Sequence, residues 1–68
     1  MTDKQNIILK KLFEMYEHNH QLVSPTQLGI SLGVEFVKAA SYCKPTLNLA
    51  VEERMIERVG KGLYKPIG

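Results

Sequence analysis

Hydrophobic residues in the first quarter of the chain recur at the spacing of an amphipathic helix. Ile8, Leu12 and Met15 return every three or four residues, while lysines and glutamates occupy the other side. A polar run that starts at His18 ends the pattern. The spacing therefore predicts a first helix over about residues 3–17.

A helix start signal follows at Ser24. Ser24 is a good N-cap residue, Pro25 suits the first helical position, and Gln27 completes the spacing of a capping box. Gly33 suits the left-handed position that follows many helix ends. These residues predict a short second helix over about residues 25–32.

The third segment contains a proline that complicates a helical pattern. Its apolar residues have helical spacing and are Phe36, Val37, Ala40, Cys43, Leu47, Ala50 and Val51. Pro45 lacks an N–H and disfavours helical geometry at Lys44. Two arrangements fit: a loop over 34–38 followed by a helix with Pro45 in a distorted first turn, or two short helices that meet near Lys44. We prefer the first, which predicts a third helix over about residues 39–54.

The end of the chain has the pattern of a β-hairpin. Two short alternating runs flank Gly60-Lys61-Gly62, which predicts a hairpin over about residues 55–66. A short extended piece is expected earlier, at Leu22–Val23. The predicted fold class is α+β, mostly α, with three helices and a C-terminal hairpin in one domain over 1–68.

Composition narrows the class of protein. The 68 residues are 44% hydrophobic and 24% charged, which suits one small folded domain. No apolar run approaches the roughly 20 residues that cross a bilayer, and no secretory signal is visible at the N-terminus. We therefore expect a cytoplasmic protein that does not associate with membranes.

The sequence gives little sign of catalytic or metal chemistry. Cys43 is the single cysteine, so no internal disulfide is possible, and we expect a small core residue there rather than a redox sensor. His18 and His20 have no third ligand nearby and are expected in a polar loop. No nucleophile–base pair or phosphate-binding glycine loop is recognisable. We expect no enzyme activity, no cofactor and no metal site.

The positive charge lies in the second half of the chain. Residues 1–33 hold three lysines and three acidic residues, whereas residues 34–68 hold six cations and four acids, so the net +2 belongs to the latter. Such a small excess is weak support for a polyanionic partner, and the position of each cation matters more than the sum.

Two stretches carry a resemblance to a known family. Ser24-Pro-Thr-Gln-Leu-Gly-Ile-Ser-Leu-Gly33 resembles the first helix of a helix-turn-helix pair, and the run Glu-Glu-x-x-Ile-Glu-Arg-x-x-x-Gly-x-Tyr that ends at Tyr64 resembles the end of a recognition helix leading into a wing. Nearly the whole chain resembles the winged helix-turn-helix domains of prokaryotic transcription regulators. Three features depart from the family's pattern. The family usually has glycine at the position of Arg54, and the connection between the paired helices is expected to be about four residues longer here than in the compact version. Pro45 also falls within the region expected to face DNA.

The resemblance implies that the third helix lies in the major groove. If Cys43, Leu47 and Ala50 face the core, the exposed or flanking residues are Ser41, Tyr42, Lys44, Pro45, Thr46 and Asn48. Asn48 suits adenine, Lys44 suits guanine or phosphate, and Thr46 or Pro45 suits a thymine methyl. The plainer interpretation is a solvated face of a core helix.

The resemblance also implies a second contact through the hairpin. Arg58, Lys61 and Lys65 surround its glycine-flanked tip, where they could meet phosphates or the minor groove. A charged surface turn is the simpler alternative.

The function expected from these features is sequence-specific binding of double-stranded DNA by a small transcription regulator. The size alone suggests a phage-type or accessory regulator. The alternative is a winged-helix protein–protein interaction module that uses Tyr42 and Leu49, and RNA binding through the same basic face is a third possibility. A homodimer or a protein partner is compatible with either.

Overall fold

The computed structural model describes residues 2–67, which form three helices followed by a two-stranded antiparallel sheet. The elements are α1 (Asp3–Asn19), α2 (Pro25–Ser31), α3 (Phe36–Glu52), β1 (Ile56–Val59) and β2 (Leu63–Pro66). The predicted class, α+β and mostly helical, is confirmed. Within residues 2–67, none of the helices is both long enough and apolar enough to span a bilayer.

Local capping explains where α1 begins and ends. Thr2 Oγ1 accepts the N–H of Gln5 at 3.2 Å, and the Gln5 side chain accepts the N–H of Thr2 at 2.9 Å, which completes a capping box. At the other end His20 adopts a left-handed conformation (φ 54°), and its N–H donates to Tyr16 O. The helix therefore runs two residues beyond the predicted end at 17.

The C-terminus of α2 follows the sequence signals closely, whereas at its N-terminus only half of the predicted capping box forms, because within residues 2–67 the Gln27 side chain makes no bond back to the N–H of Ser24. Ser24 Oγ accepts the N–H of Gln27 at 3.1 Å, with Pro25 in the first turn. At the C-terminus Gly33 has φ +86°, and the N–H groups of Gly33 and Val34 donate to Ile30 O and Gly29 O, both at 2.9 Å. This bond pair is a Schellman motif, which ends the helix and turns the chain towards α3.

The predicted start of α3 is wrong, because the helix begins at Phe36 and includes part of the expected loop over 34–38. Only Leu32–Glu35 separate α2 from α3, so the connection has four residues and lacks the extra length that the sequence predicted. Pro45 lies inside a continuous helix. Proline has no N–H, so the carbonyl of Ser41, four residues earlier, loses its partner in the helix. Pro45 and Ser41 are both exposed, so this carbonyl lies on the side of the helix that faces water.

The end of α3 repeats the motif of α2 with a different residue. The N–H groups of Arg54 and Met55 donate to Val51 O at 3.0 Å and Ala50 O at 2.9 Å, which again forms a Schellman motif. Arg54 occupies its left-handed position with φ 59°. This conformation strains a residue that carries a Cβ atom, which is the reason that glycine is common at this position.

The helices and the hairpin enclose one apolar core. Its buried hydrophobic residues come from α1, α3, the start of α2 and the hairpin: Ile8, Leu9, Leu12, Val23, Leu28, Cys43, Leu47, Ala50, Ile56 and Tyr64. Helices α2 and α3 pack closely at Gly29 of α2, where an added Cβ would lie 2.5 Å from Ala39 Cβ on α3. Glycine at this position is what brings α2 and α3 together.

The hairpin is tied to the start of α2. Val23 and Tyr64 exchange two N–H···O bonds of 2.9 Å in an isolated antiparallel bridge. This bridge is the short extended piece expected near Leu22–Val23. The hairpin itself turns through Gly60-Lys61-Gly62, with φ of +64° and +78° at the two glycines, as its sequence predicts.

Candidate functional site

One side of α3 is free of packing over most of its length. The residues of this outward face, as we call it, are exposed and are spaced at helical intervals: Val37, Lys38, Ser41, Lys44, Pro45 and Asn48. Four of them, Ser41, Lys44, Pro45 and Asn48, are among the predicted contact residues. The core stripe of the same helix, which contains Cys43 and Leu47, lies on the opposite side.

The assignment of Thr46 to the exposed side is wrong, because this residue is only 3% exposed. Thr46 stands three residues after Cys43 and four before Ala50, which are both fully buried. Positions three and four apart share a face of a helix. Thr46 therefore belongs to the core stripe, and its methyl group cannot reach a ligand on the outward face.

Tyr42 flanks the outward face and is held by α1. Tyr42 is 37% exposed, and Lys4 Nζ lies 4.1 Å from the centroid of the Tyr42 ring. This distance is well within the range of a cation–π interaction. Lys4 thus brings a cation from α1 to the edge of α3. No local signal in the sequence predicts this contact, because it joins residues from two helices.

Two large apolar residues at the start of α3 lie outside the core. Phe36 is 71% exposed and Val37 is 80% exposed, although both fit the apolar spacing of the segment. The buried stripe begins only at Ala39. The first turn of α3 therefore extends past the packed body, and both side chains were missed as candidate contact residues.

The electrostatics of α3 favour an anionic partner on its outward face. Lys38 and Lys44 lie on this face, and no acidic residue occurs between Phe36 and Val51. The acids nearest in sequence, Glu35 and Glu52, stand at the two ends of the helix. Positive charge is thus carried by the first turn and the centre of the helix, with Ser41 between the two lysines and Asn48 one turn after Lys44.

The hairpin does not present its three cations as one cluster. Glu57 pairs with Lys65 and Arg58 with Tyr64 in the strand register, so Arg58 and Lys65 lie on opposite faces. Lys65 Nζ is 3.4 Å from Glu57 Oε1, which partly neutralises it. Lys61 is exposed at the tip. Arg58 and Lys61 are the two hairpin cations that the structure leaves without an ion pair among residues 2–67.

Cys43 is a core residue of α3 with little nucleophilic character. Its side chain is fully buried. Burial raises the pKa of the Cys43 thiol, and the Lys4 ammonium lowers it in part. The thiol is therefore neutral at pH 7, and reaction at its sulfur requires the helix to move away from the core.

The described residues give little support for a metal site. Across residues 2–67, no three His, Cys, Asp or Glu side chains are grouped so that they could hold a metal ion. The expected polar loop is wrong for His18, which lies in the last turn of α1, while His20 is the C-cap residue of that helix. The comparisons with protein-family models, curated proteins and solved structures find no match for this chain.

Proposed function

We propose that this chain binds double-stranded DNA as a small transcription regulator of the winged helix-turn-helix type, acting in the cytoplasm. In this proposal α3 enters the major groove and the hairpin lies against the backbone or the minor groove. The observation that carries the proposal is the outward face of α3, which combines Lys38, Ser41, Lys44 and Asn48 and contains no acidic residue.

The relation of α2 to α3 supports this proposal. Helix-turn-helix pairs are joined by a turn of about three or four residues that often contains glycine. The turn here is Leu32–Glu35, with Gly33 in the left-handed conformation. Gly29 permits the close packing of the two helices. A rigid pair of this kind suits a helix that must be held at a fixed angle in a groove.

The residues of the outward face have the chemistry that base edges require. Asn48 is able to bond adenine through its amide, and Lys44 suits guanine or a phosphate. On the hairpin, Arg58 and Lys61 are the expected phosphate contacts, whereas Lys65 contributes less because Glu57 pairs with it.

Fluorescence anisotropy of labelled duplex DNA tests this proposal when the titration is repeated from about 50 to 200 mM salt. Contacts with roughly four to six phosphates predict a log–log slope near −3.6 to −5.4. Arg58→Ala or Lys61→Ala should weaken binding to all sequences and make the slope less steep by about 0.9. Asn48→Ala should instead reduce the preference for one sequence over another.

A matched control distinguishes these effects from a general loss of charge. Lys10 is exposed on α1, outside both α3 and the hairpin. Lys10→Ala therefore removes one positive charge without touching the proposed contact surfaces, and it should leave the affinity almost unchanged. Absence of saturable binding at low salt, or equal effects of Lys10→Ala and Lys61→Ala, would contradict the proposal.

A second candidate function is a protein-interaction module, and the exposure of Phe36 favours it. Phe36 stands three residues before Ala39 and seven before Cys43, so it prolongs the buried stripe of α3 beyond the body of the domain. A protein partner that covered Phe36 would extend the core. In that case Phe36→Ser abolishes complex formation, whereas Arg58→Ala and Lys61→Ala leave it intact.

A further inference from the structure

Val37 stands out on the outward face because it is apolar and almost wholly exposed. Its exposed fraction is 80%, the largest among the exposed large hydrophobic residues of the described chain. Ser41, Lys44 and Asn48 follow it by four, seven and eleven residues, so all four lie on one stripe of α3. The stripe is thus apolar at the start of the helix and polar further along.

The position of Val37 in the helix gives this side chain a particular place in a DNA complex. In helix-turn-helix proteins the N-terminal residues of the recognition helix are those that meet base edges. Val37 is the second residue of α3. On the major-groove edge of B-DNA the one apolar group is the 5-methyl group of thymine, and apolar side chains are its usual partners.

We propose that Val37 reads the 5-methyl group of thymine in the major groove, which gives the protein a preference for sites that carry thymine under the start of α3. This inference rests on the proposed function, since it requires α3 to occupy that groove. In this proposal the thymine methyl group is contacted by Val37 in the first turn of α3 and not by Thr46, which is buried.

The conformation of Val37 suits this role. A valine in a helix has one strongly preferred χ1 rotamer, so its two methyl groups are held in place before the ligand arrives. Lys38 and Lys44 on the same face attract the phosphates on either side of a groove. The apolar side chain is therefore presented to the base edges with little loss of conformational freedom.

The expected effect is a measurable change in affinity for each methyl group. Burial of one methyl-sized group strengthens binding by about fourfold. Uracil differs from thymine only in lacking this methyl group, so replacement of thymine by uracil removes the contact and keeps the hydrogen-bonding edge.

The experiment measures the affinity of the full chain for two alternating duplexes of about 20 base pairs, roughly two helical turns, made of dA and dT or of dA and dU. Anisotropy titrations at low salt are repeated with Val37→Ser, which removes both methyl groups and leaves a small polar side chain. Lys61→Ala serves as a variant that weakens binding without touching the start of α3.

Each outcome has a distinct meaning. We expect the wild type to bind the thymine duplex at least about fourfold more tightly than the uracil duplex, Lys61→Ala to keep this ratio, and Val37→Ser to reduce it to nearly one. Equal affinities of the wild type for both duplexes would overturn the inference while DNA binding stands. A ratio that persists in Val37→Ser would show that duplex shape or another residue causes it, which also overturns the inference. No binding to any duplex would overturn the proposed function itself.

Discussion

Ala39 of α3 fills the space beside Gly29 of α2 in which a side chain at residue 29 would begin. A Cβ atom built on Gly29 would lie 2.5 Å from Ala39 Cβ, 2.6 Å from Ala39 Cα and 2.7 Å from Ala39 O. Separations this short do not occur between real atoms of this kind, so any side chain at residue 29 must push the helices apart. The pair fixes how α3 is held relative to α2, and α3 carries the proposed contact surface.

Gly29→Ala should destabilise the protein. Overpacking at a close contact costs about 1–3 kcal/mol, which exceeds the roughly 1 kcal/mol that alanine gains over glycine in a helix. Urea unfolding followed by circular dichroism measures the change. Gln27→Ala, at an exposed residue of the same helix, is the control and should change stability by less than about 0.5 kcal/mol. Ala39→Gly should fail to rescue Gly29→Ala, because Cα and O of residue 39 remain in the way.

Arg54→Gly should stabilise the protein. Arg54 has φ 59° at the end of α3, in the same position that Gly33 occupies at the end of α2. The left-handed conformation costs a non-glycine residue about 1–2 kcal/mol, and the greater freedom of glycine in the unfolded chain offsets about half of the gain. We expect an increase of about 0.5–1 kcal/mol, which raises Tm by a few degrees.

Glu53→Gly provides the comparison for this substitution. Glu53 is also exposed, but its φ of −81° is unstrained. Glycine at this position therefore relieves no strain and only increases the conformational entropy of the unfolded chain. If thermal unfolding found Arg54→Gly no more stable than Glu53→Gly, strain at Arg54 would be excluded.

Glu57→Gln should strengthen DNA binding. The substitution releases Lys65 from a carboxylate 3.4 Å away and removes a negative charge from the hairpin. Because an exposed ion pair contributes at most about 1 kcal/mol to folding, the stability should change little. We expect tighter binding at low salt, with a log–log salt slope steeper by up to about 0.9. Glu14→Gln makes the same change of charge on α1 and should have a smaller effect; an equal effect would mean that only net charge matters.

The stability of the wild type should fall at alkaline pH through Cys43. Burial raises the pKa of this thiol in the folded protein, so the unfolded chain, whose thiol has a pKa of about 8.5, ionises first as pH rises. The stabilising contribution is complete below that pH and is lost as pH rises through the folded-state pKa. Above pH 8.5 the loss should grow as the pH rises, until the pH reaches the folded-state pKa.

A comparison with Cys43→Ala isolates this effect from other groups that titrate at high pH. Urea unfolding of both proteins from about pH 7 to 9.5 should give a stability difference that shrinks as pH rises. A constant difference would show that the thiol does not ionise on unfolding in this range. Slow labelling of the folded protein by a thiol reagent is expected for the same reason.

The number and order of the elements could be predicted from the sequence because their signals are local. Ser24 and Pro25 start α2, and the glycines at 60 and 62 form the hairpin turn, each through contacts with near neighbours in the chain. The register could also have been predicted. A turn of three residues at 60–62 sets Glu57 opposite Lys65, which separates Lys65 from Arg58.

The start of α3 lacked such a signal. Its N-cap, Glu35, makes no side-chain capping bond, and its first turn lies outside the core, so neither a cap nor burial marks where the helix begins. Pro45 pointed to a later start, since the sequence alone does not tell whether a proline within a helix faces solvent. The prediction of Thr46 as exposed failed for a related reason: a polar residue was assigned by its type although its spacing from Cys43 and Ala50 indicates the core.

The exposure of Phe36 and Val37 depends on the shape of the whole domain. Both residues fit a helical apolar pattern, and that pattern describes the helix but not where the neighbouring elements end. The contact between Lys4 and Tyr42 likewise joins residues that only the tertiary fold brings together. These features define much of the candidate site, so the site was less predictable than the fold.

The bridge between Val23 and Tyr64 gives the hairpin a mechanical connection to the paired helices. Its two hydrogen bonds join the strand that follows the turn to the residue just before the Ser24 cap. Opening the hairpin therefore breaks bonds at the start of α2 and exposes Val23 and Tyr64 together. The amide hydrogens of these two residues should report one common free energy of opening, because a single cooperative event exposes both of them. Force applied to the hairpin tip should likewise be transmitted to α2.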